Sequence, residues 1–484
     1  MLLCVVGALG VTATPDLGEG RLLYYLLVPP LIPPALLLLV RDRDRERAMV
    51  APTALCVLLG VWLLWAPLSL RWSPDQVTGA VKTAHITLAL ASAFCVLGLA
   101  GGRWDSSGAL RTGWLLGFGV TSAVAGWELT TQRHLIDGPW MLAGNHALTS
   151  TFYNPNNYAA FLLACLPYLV WGTVTARRWA SRQAHLVLLV VWIGLVIATK
   201  SRTGLLGGLA AAPLVAVWLG RSPALRRSPL AVQLLYTAVG AGLLLWLVAG
   251  TPIGQRLVLS YQSPFHPDRA TLESDGVRVN LTRLGWDAFL ESRLLGEGAG
   301  AFEVIAGQSG VAALGGLVNA HNGFIEVAAE FGLPVLLPLL GVIVAAGWTV
   351  FAVRVPRHLR AAAFDLRMVI LLSLTAMLAA SLAASSILSW PWWWLLVGQL
   401  AVLSWRLQAM GRSTTGQRAG RRPVVQRAGQ RPAGRRRAES GERAGQRPAG
   451  RRRAESGERA DQRPAGQRAI PLPYPSAVGR PSPW

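Results

Sequence analysis

Between residues 2 and 407 the chain is divided into about a dozen apolar segments, and these confine it to a lipid bilayer. Residues 185–199 (HLVLLVVWIGLVIAT) and 230–250 (LAVQLLYTAVGAGLLLWLVAG) are near or above the ~20 residues that cross the hydrocarbon. A soluble core would not carry so many such runs, and a composition of 52% apolar and 14% charged residues agrees. The expected architecture is an all-α integral membrane protein of about 12 transmembrane helices. Candidate spans fall at 2–14, 22–40, 49–70, 79–100, 112–129, 156–175, 185–199, 203–220, 230–250, 322–352, 367–387 and 390–407. The first is short, and its N-terminal side lacks the positive charge of a signal peptide.

Orientation follows from basic loops, which stay cytoplasmic. With the N-terminus inside, the inner loops are 41–48, 101–111, 176–184, 221–229 and 353–366, and each holds at least two arginines. The outer segments are then 71–78, 130–155, a tight turn at 200–202, and a long loop at 251–321 between the ninth and tenth spans. A connection of that length is functional or disordered. Its interior argues for order, because VRVNLTRLGWDAFL (277–290) sets Leu281, Leu284 and Ala288 on one helical face. The glycine-rich turn GEGAG (296–300) follows, without the preceding strand or the Lys-Ser/Thr of a phosphate-binding P-loop.

The chain therefore divides into a membrane domain, 1–407, with its outer loop at 251–321, and a tail, 408–484. The net charge of +22 would suggest nucleic acid if it were spread over the chain. From 411 to 484, however, 18 Arg stand against 5 Asp and Glu, so most of the excess lies in the tail. There AGQRPAGRRRAESGER (428–443) repeats letter for letter at 444–459, a composition that buries too little to fold. Without interleaved aromatics it is no nucleic-acid platform, and anionic lipid head groups fit it as well as solvent does. Cys4, Cys56, Cys95 and Cys165 lie in apolar segments with no paired spacing, so neither a disulfide framework nor a zinc site is expected.

The polar residues that interrupt the pattern gather on the outer side. Arg202, in the turn KSRTG, is either a bidentate phosphate ligand or a snorkelling interfacial cation, and Lys200 fits the second reading better. Asn154, Asn156 and Asn157 stand directly before a span, where an amide caps the helix or bonds a sugar hydroxyl. His321, in NAHNGFIEVAAEFGLPVLL, opens the tenth span, and imidazole is a general base near neutral pH. Glu326 and Glu330 share a face just below it. Lys82 and His85 lie in the fourth span, with Lys82 close enough to its outer end to snorkel. No second histidine completes a metal site, and no nucleotide-binding motif is present.

Four ordered blocks carry a family resemblance: TFYNPNNYAAFLLACLP (151–167), TKSRTGLLGGLAA (199–211), DGVRVNLTRLGWDAFLESRLLGEGAGAFE (275–303) and NAHNGFIEVAAEFGLPVLL (319–337). In this set the chain resembles the O-antigen ligase and polysaccharide polymerase superfamily of bacterial membrane glycosyltransferases. The third block looks most like members linked to teichuronic acid synthesis in Gram-positive bacteria. The resemblance implies a GT-C-like helical fold in the bacterial inner or plasma membrane, and the charge pattern sets both termini, with the basic tail, on the cytoplasmic side. It implies transfer of a polyprenyl-pyrophosphate-linked oligosaccharide to a hydroxyl of an acceptor glycan at the outer leaflet, with no cofactor, metal or nucleotide. Under it Arg202 and Arg278 hold the pyrophosphate, with Arg283 the alternative to Arg278, and His321 orients or deprotonates the acceptor hydroxyl. Asn154, Asn156, Lys200 and Glu326 would complete the substrate site. One departure is that VIAGQSGVAALGGLV, after the glycine-rich turn, lacks aromatics for stacking on sugars. A transporter or flippase of the same lipid-linked intermediates is the rival reading; it calls for mid-membrane charges and internal repeats, and neither is evident.

Overall fold

The computed structural model describes residues 1–9, 22–42, 50–100, 106–135, 147–152, 154–221, 269–309, 319–382 and 387–419. The chain divides into two units, Met1–Arg422 and Pro423–Trp484. The expected span at 230–250, the loop portion at 251–268 and the arginine-rich repeats lie outside the described residues.

Among the described residues every regular element is helical, as a bilayer requires when no water is present to satisfy an open strand edge. In chain order the helices are α1 (Leu2–Ala8), α2 (Leu22–Asp42), α3 (Val50–Ser69), α4 (Gln76–Ala100), α5 (Ser106–Thr131), α6 (Pro155–Thr175) and α7 (Trp179–Ala198). They continue with α8 (Arg202–Arg221), α9 (Arg269–Glu291), α10 (Ala301–Gln308), α11 (Gly323–Ala352), α12 (Arg360–Ser381) and α13 (Pro391–Ala419). Seven helices among the described residues are long and apolar enough to cross a membrane. The expected count of about twelve is not reached there. Part of the shortfall is α1, whose 7 residues rise only about 10 Å and cannot span.

Packing follows from side chains that suit a dry interior. Trp392, Trp393 and Trp394 at the start of α13 are fully buried, with Trp392 against Phe161 of α6. Indole N–H groups need partners in such a place. Trp394 donates to the Leu388 carbonyl, Trp393 to Ser381 Oγ and Trp114 to Gln399 Oε1, whereas Trp392 Nε1 is buried without a hydrogen-bond partner. Leu64, Val344 and Phe351 face outward at 78%, 67% and 77% exposure, a pattern that fits lipid rather than water.

A helix, α9, covers the segment 277–290 where the apolar spacing predicts one. In α9, Val277, Leu281 and Ala288 are buried with Phe302, Ala320 and Ala329, and Leu284 packs against them. The GEGAG turn descends from α9 to a break in α11. There Gly332 adopts φ 67°, ψ −164°, so α11 is a short stub, 323–331, followed by an apolar span, 333–352. That span is about 30 Å long at 1.5 Å per residue, the thickness of the hydrocarbon. The amides of Glu297 and Gly298 donate to the carbonyls of Ala329 and Glu330, which the break frees from the helix ladder. A Cβ at Gly332 would collide with the backbone of Leu294 and Leu295. Gly332→Ala is therefore expected to destabilise the protein by about 2 kcal/mol or more. Thermal unfolding in detergent, beside Gly341→Ala where a Cβ meets nothing within 4 Å, measures it. Equal shifts for the two variants would refute the assignment.

Candidate functional site

The site is built where three helix starts meet a buried strap. Asn154 caps α6: its Oδ1 accepts the amide of Asn156 at 2.8 Å, and Pro155 opens the helix where no N–H is needed. Asn156 Oδ1 accepts Ser201 Oγ at 2.7 Å, and the same hydroxyl oxygen accepts the amide of Gly204 in the first turn of α8. One hydrogen-bond chain thus ties the start of α6 to the turn bearing Lys200 and Arg202. Lys200 sits in the left-handed region at φ 54°, and both cations are half-buried. Asn157 is fully buried, with neither polar side-chain atom hydrogen-bonded.

A second group is set by α9 and α11. Arg278 is half-buried, next to Val277 in the cluster that also holds Ala320. Arg283, by contrast, has a side chain 82% exposed and lies 4.0 Å from Asp287 one turn on. The structure thus separates the two candidates: Arg278 stands beside the packed interface and Arg283 on the open face. His321 is 3% exposed with φ 51°, immediately before Asn322, whose Oδ1 caps α11 through the amides of Phe324 and Ile325. The two groups meet at 387–390. Trp390 contacts Phe152 at 5.3 Å, and a Cβ at Gly323 would strike Ile387.

Two ionic centres support this end of the bundle, and the sequence reading missed both. Lys82 does not snorkel. Its Nζ lies 2.7 Å from both Glu326 and Glu330 and 3.8 Å from Glu303, with Lys82 7% exposed and Glu330 fully buried. The reason is geometric: the α11 stub projects its carboxylates onto α4 at the level where a snorkelling lysine would turn outward. Glu326, expected to touch substrate, is engaged by this lysine. The second centre is Glu128 of α5, 3% exposed. It accepts the amides of Thr149 and Ser150 and the hydroxyl of Thr149 at 2.9–3.1 Å, and lies 3.3 Å from His134 Nδ1. Its position inside the expected span 112–129 was the available signal, because a carboxylate there needs partners.

Glu128 explains how residues 147–152, read as outer loop, are buried throughout. A buried strap must have its polar groups paired. The Leu148 amide donates to Ala198 O, Ser150 Oγ to Thr121 O, and Thr151 Oγ1 to Ala8 O at the end of α1. In the GEGAG turn, partial burial and then the nearby Glu291 push the Glu297 carboxyl above its ordinary range. No group of three metal-ligating side chains occurs among the described residues.

Comparison with known proteins gives two matches. Residues 186–340 match the O-antigen ligase family model. The matched stretch contains Lys200, Arg202, Arg278, Arg283, His321 and Glu326, while Asn154 and Asn156 precede it. The chain is also 25% identical over 296 residues to the teichuronic acid biosynthesis protein TuaE of Bacillus subtilis (strain 168), covering 60% of this chain and 59% of TuaE. It thus spans about three fifths of that curated relative. Both findings support the O-antigen ligase and polymerase superfamily that the four sequence blocks resemble.

Proposed function

We propose that the protein transfers a polyprenyl-pyrophosphate-linked glycan to a hydroxyl of an acceptor sugar at the outer leaflet, as a cell-surface polysaccharide polymerase or ligase. It would sit in the bacterial plasma membrane with both termini cytoplasmic and a GT-C-like fold. The observation that carries this reading is the family match, which encloses Arg202, Arg278 and His321 on three helix-bearing elements at one end of the bundle. Arg202 and Arg278 would hold the pyrophosphate, whose leaving oxygen gains negative charge in the transition state, so fixed cations lower the barrier. His321 would take the acceptor proton as the hydroxyl oxygen attacks the anomeric carbon and the bond to pyrophosphate breaks.

An apolar groove of about 510 Å³ between α6, α7 and α8 adds support. Trp192, Val196, Ile197 and Leu205 line it within about two turns of Lys200 and Arg202, so an isoprenoid chain seated there would bring its head group to the cations. The test is reconstitution in liposomes with polyprenyl-pyrophosphate oligosaccharide and acceptor, EDTA present and nucleotide omitted. Free polyprenyl pyrophosphate together with a lengthened or transferred glycan is expected. Movement of intact substrate between leaflets without bond cleavage would instead establish the transporter.

A further inference from the structure

The Lys82 cluster has an uneven charge count: one ammonium faces two fully enclosed carboxylates, with Glu303 a third and more exposed acid. Glu326 Oε2 and Glu330 Oε2 are buried without a hydrogen-bond donor, so the single lysine is what keeps both acids in the interior. The same junction carries the GEGAG turn. Ser73 Oγ donates to Ala299 O, and Trp72 and Trp65 donate to the carbonyls of Gly296 and Phe331. The stub 323–331 is separated from its own span by the break at Gly332, so contacts with neighbouring elements must hold it. Its first residues follow His321 directly.

We propose that Lys82 is a positioning residue: its ion pairs lock the α11 stub onto α4 and thereby fix His321 at the outer site. Substrate contact is no part of this role, which rests on the transfer reading only for its effect on rate. Removing the lysine strands two carboxylates in a place of low polarity and opens the stub, whereas removing one carboxylate leaves a balanced pair.

Hydrogen exchange on the full-length protein in lipid nanodiscs tests the lock without reference to activity. Lys82→Met should speed exchange in 323–331 on the order of 100-fold while 339–352 is unchanged. Glu326→Gln and Glu330→Gln should each keep the protection. The triple variant Lys82→Met/Glu326→Gln/Glu330→Gln should regain most of it, because neutral amides need no counter-ion. If Lys82→Met does not accumulate, the triple variant decides: a protected stub supports the lock, and failure to accumulate overturns it. Unchanged exchange in Lys82→Met overturns it as well. In the transfer assay kcat should fall about 100-fold, a larger change than that in KM for the lipid-linked donor, since Arg202 stands on α8 and only Arg278 lies on the helix packed against the stub. A loosened stub with kcat intact would overturn positioning. An inactive wild type would sink the transfer reading alone, with exchange still deciding the lock.

Discussion

Glu128→Ala is expected to destabilise the protein by at least about 3 kcal/mol. The carboxylate accepts two backbone amides and one hydroxyl, all buried in the strap. Each stranded donor carries about 1–3 kcal/mol of unrecovered desolvation. Glu128→Gln keeps one acceptor oxygen but turns a donor toward other donors, so an intermediate loss is expected. Thermal unfolding in detergent, read with the yield of monodisperse protein, ranks the three. A Glu128→Ala midpoint within a degree or so of wild type would show that the strap is held by its other bonds. The effect should also reach the site, because Phe152 leads through one residue to the Asn154 cap, and Asn156 holds the turn that carries Arg202.

Much of the helical framework was legible because a bilayer imposes it: uniform apolarity over ~20 residues has one satisfying backbone. The amphipathic helix α9 was legible for a related reason, since Leu281 and Ala288 recur at helical spacing and both are buried. The features that escaped are those where apolar patterning continues through a change in backbone or burial. Gly332 breaks α11 inside FGLPVLL, where hydropathy shows no interruption. The strap at 147–152 reads as a polar outer loop, and only its partner Glu128, on another helix, makes it an interior segment. Lys82 shows the same limit. Its depth along α4 was readable, but its carboxylate partners stand 244 and 248 positions away in the sequence, and pairing over that distance leaves no local trace. A cap from one of the three asparagines was readable before a span, while its assignment to Asn154 and the bond from Ser201 to Asn156 required the fold.

The largest effect on activity is expected at His321, and the backbone there dictates which variant is informative. His321 has φ 51°, a conformation that burdens alanine by about 1–2 kcal/mol but that asparagine adopts readily. His321→Ala would therefore mix lost chemistry with local strain, whereas His321→Asn preserves the turn into the Asn322 cap and removes the base. Under the transfer reading His321→Asn should lower kcat by roughly 10²–10⁴-fold with little change in the KM for donor. Arg278→Ala should cost about 10²–10³-fold through loss of charge stabilisation on the departing pyrophosphate. Arg283→Ala should cost less than about threefold, since an open side chain near Asp287 gains little from a screened surface pair. The order of the two arginines is the sharper test, because the sequence alone left both open and burial separates them. If Arg283→Ala proved the more damaging, the half-buried face of α9 would not be the one that meets substrate. If His321→Asn retained more than about a tenth of wild-type kcat, the acceptor proton would be leaving by a route that does not need the imidazole.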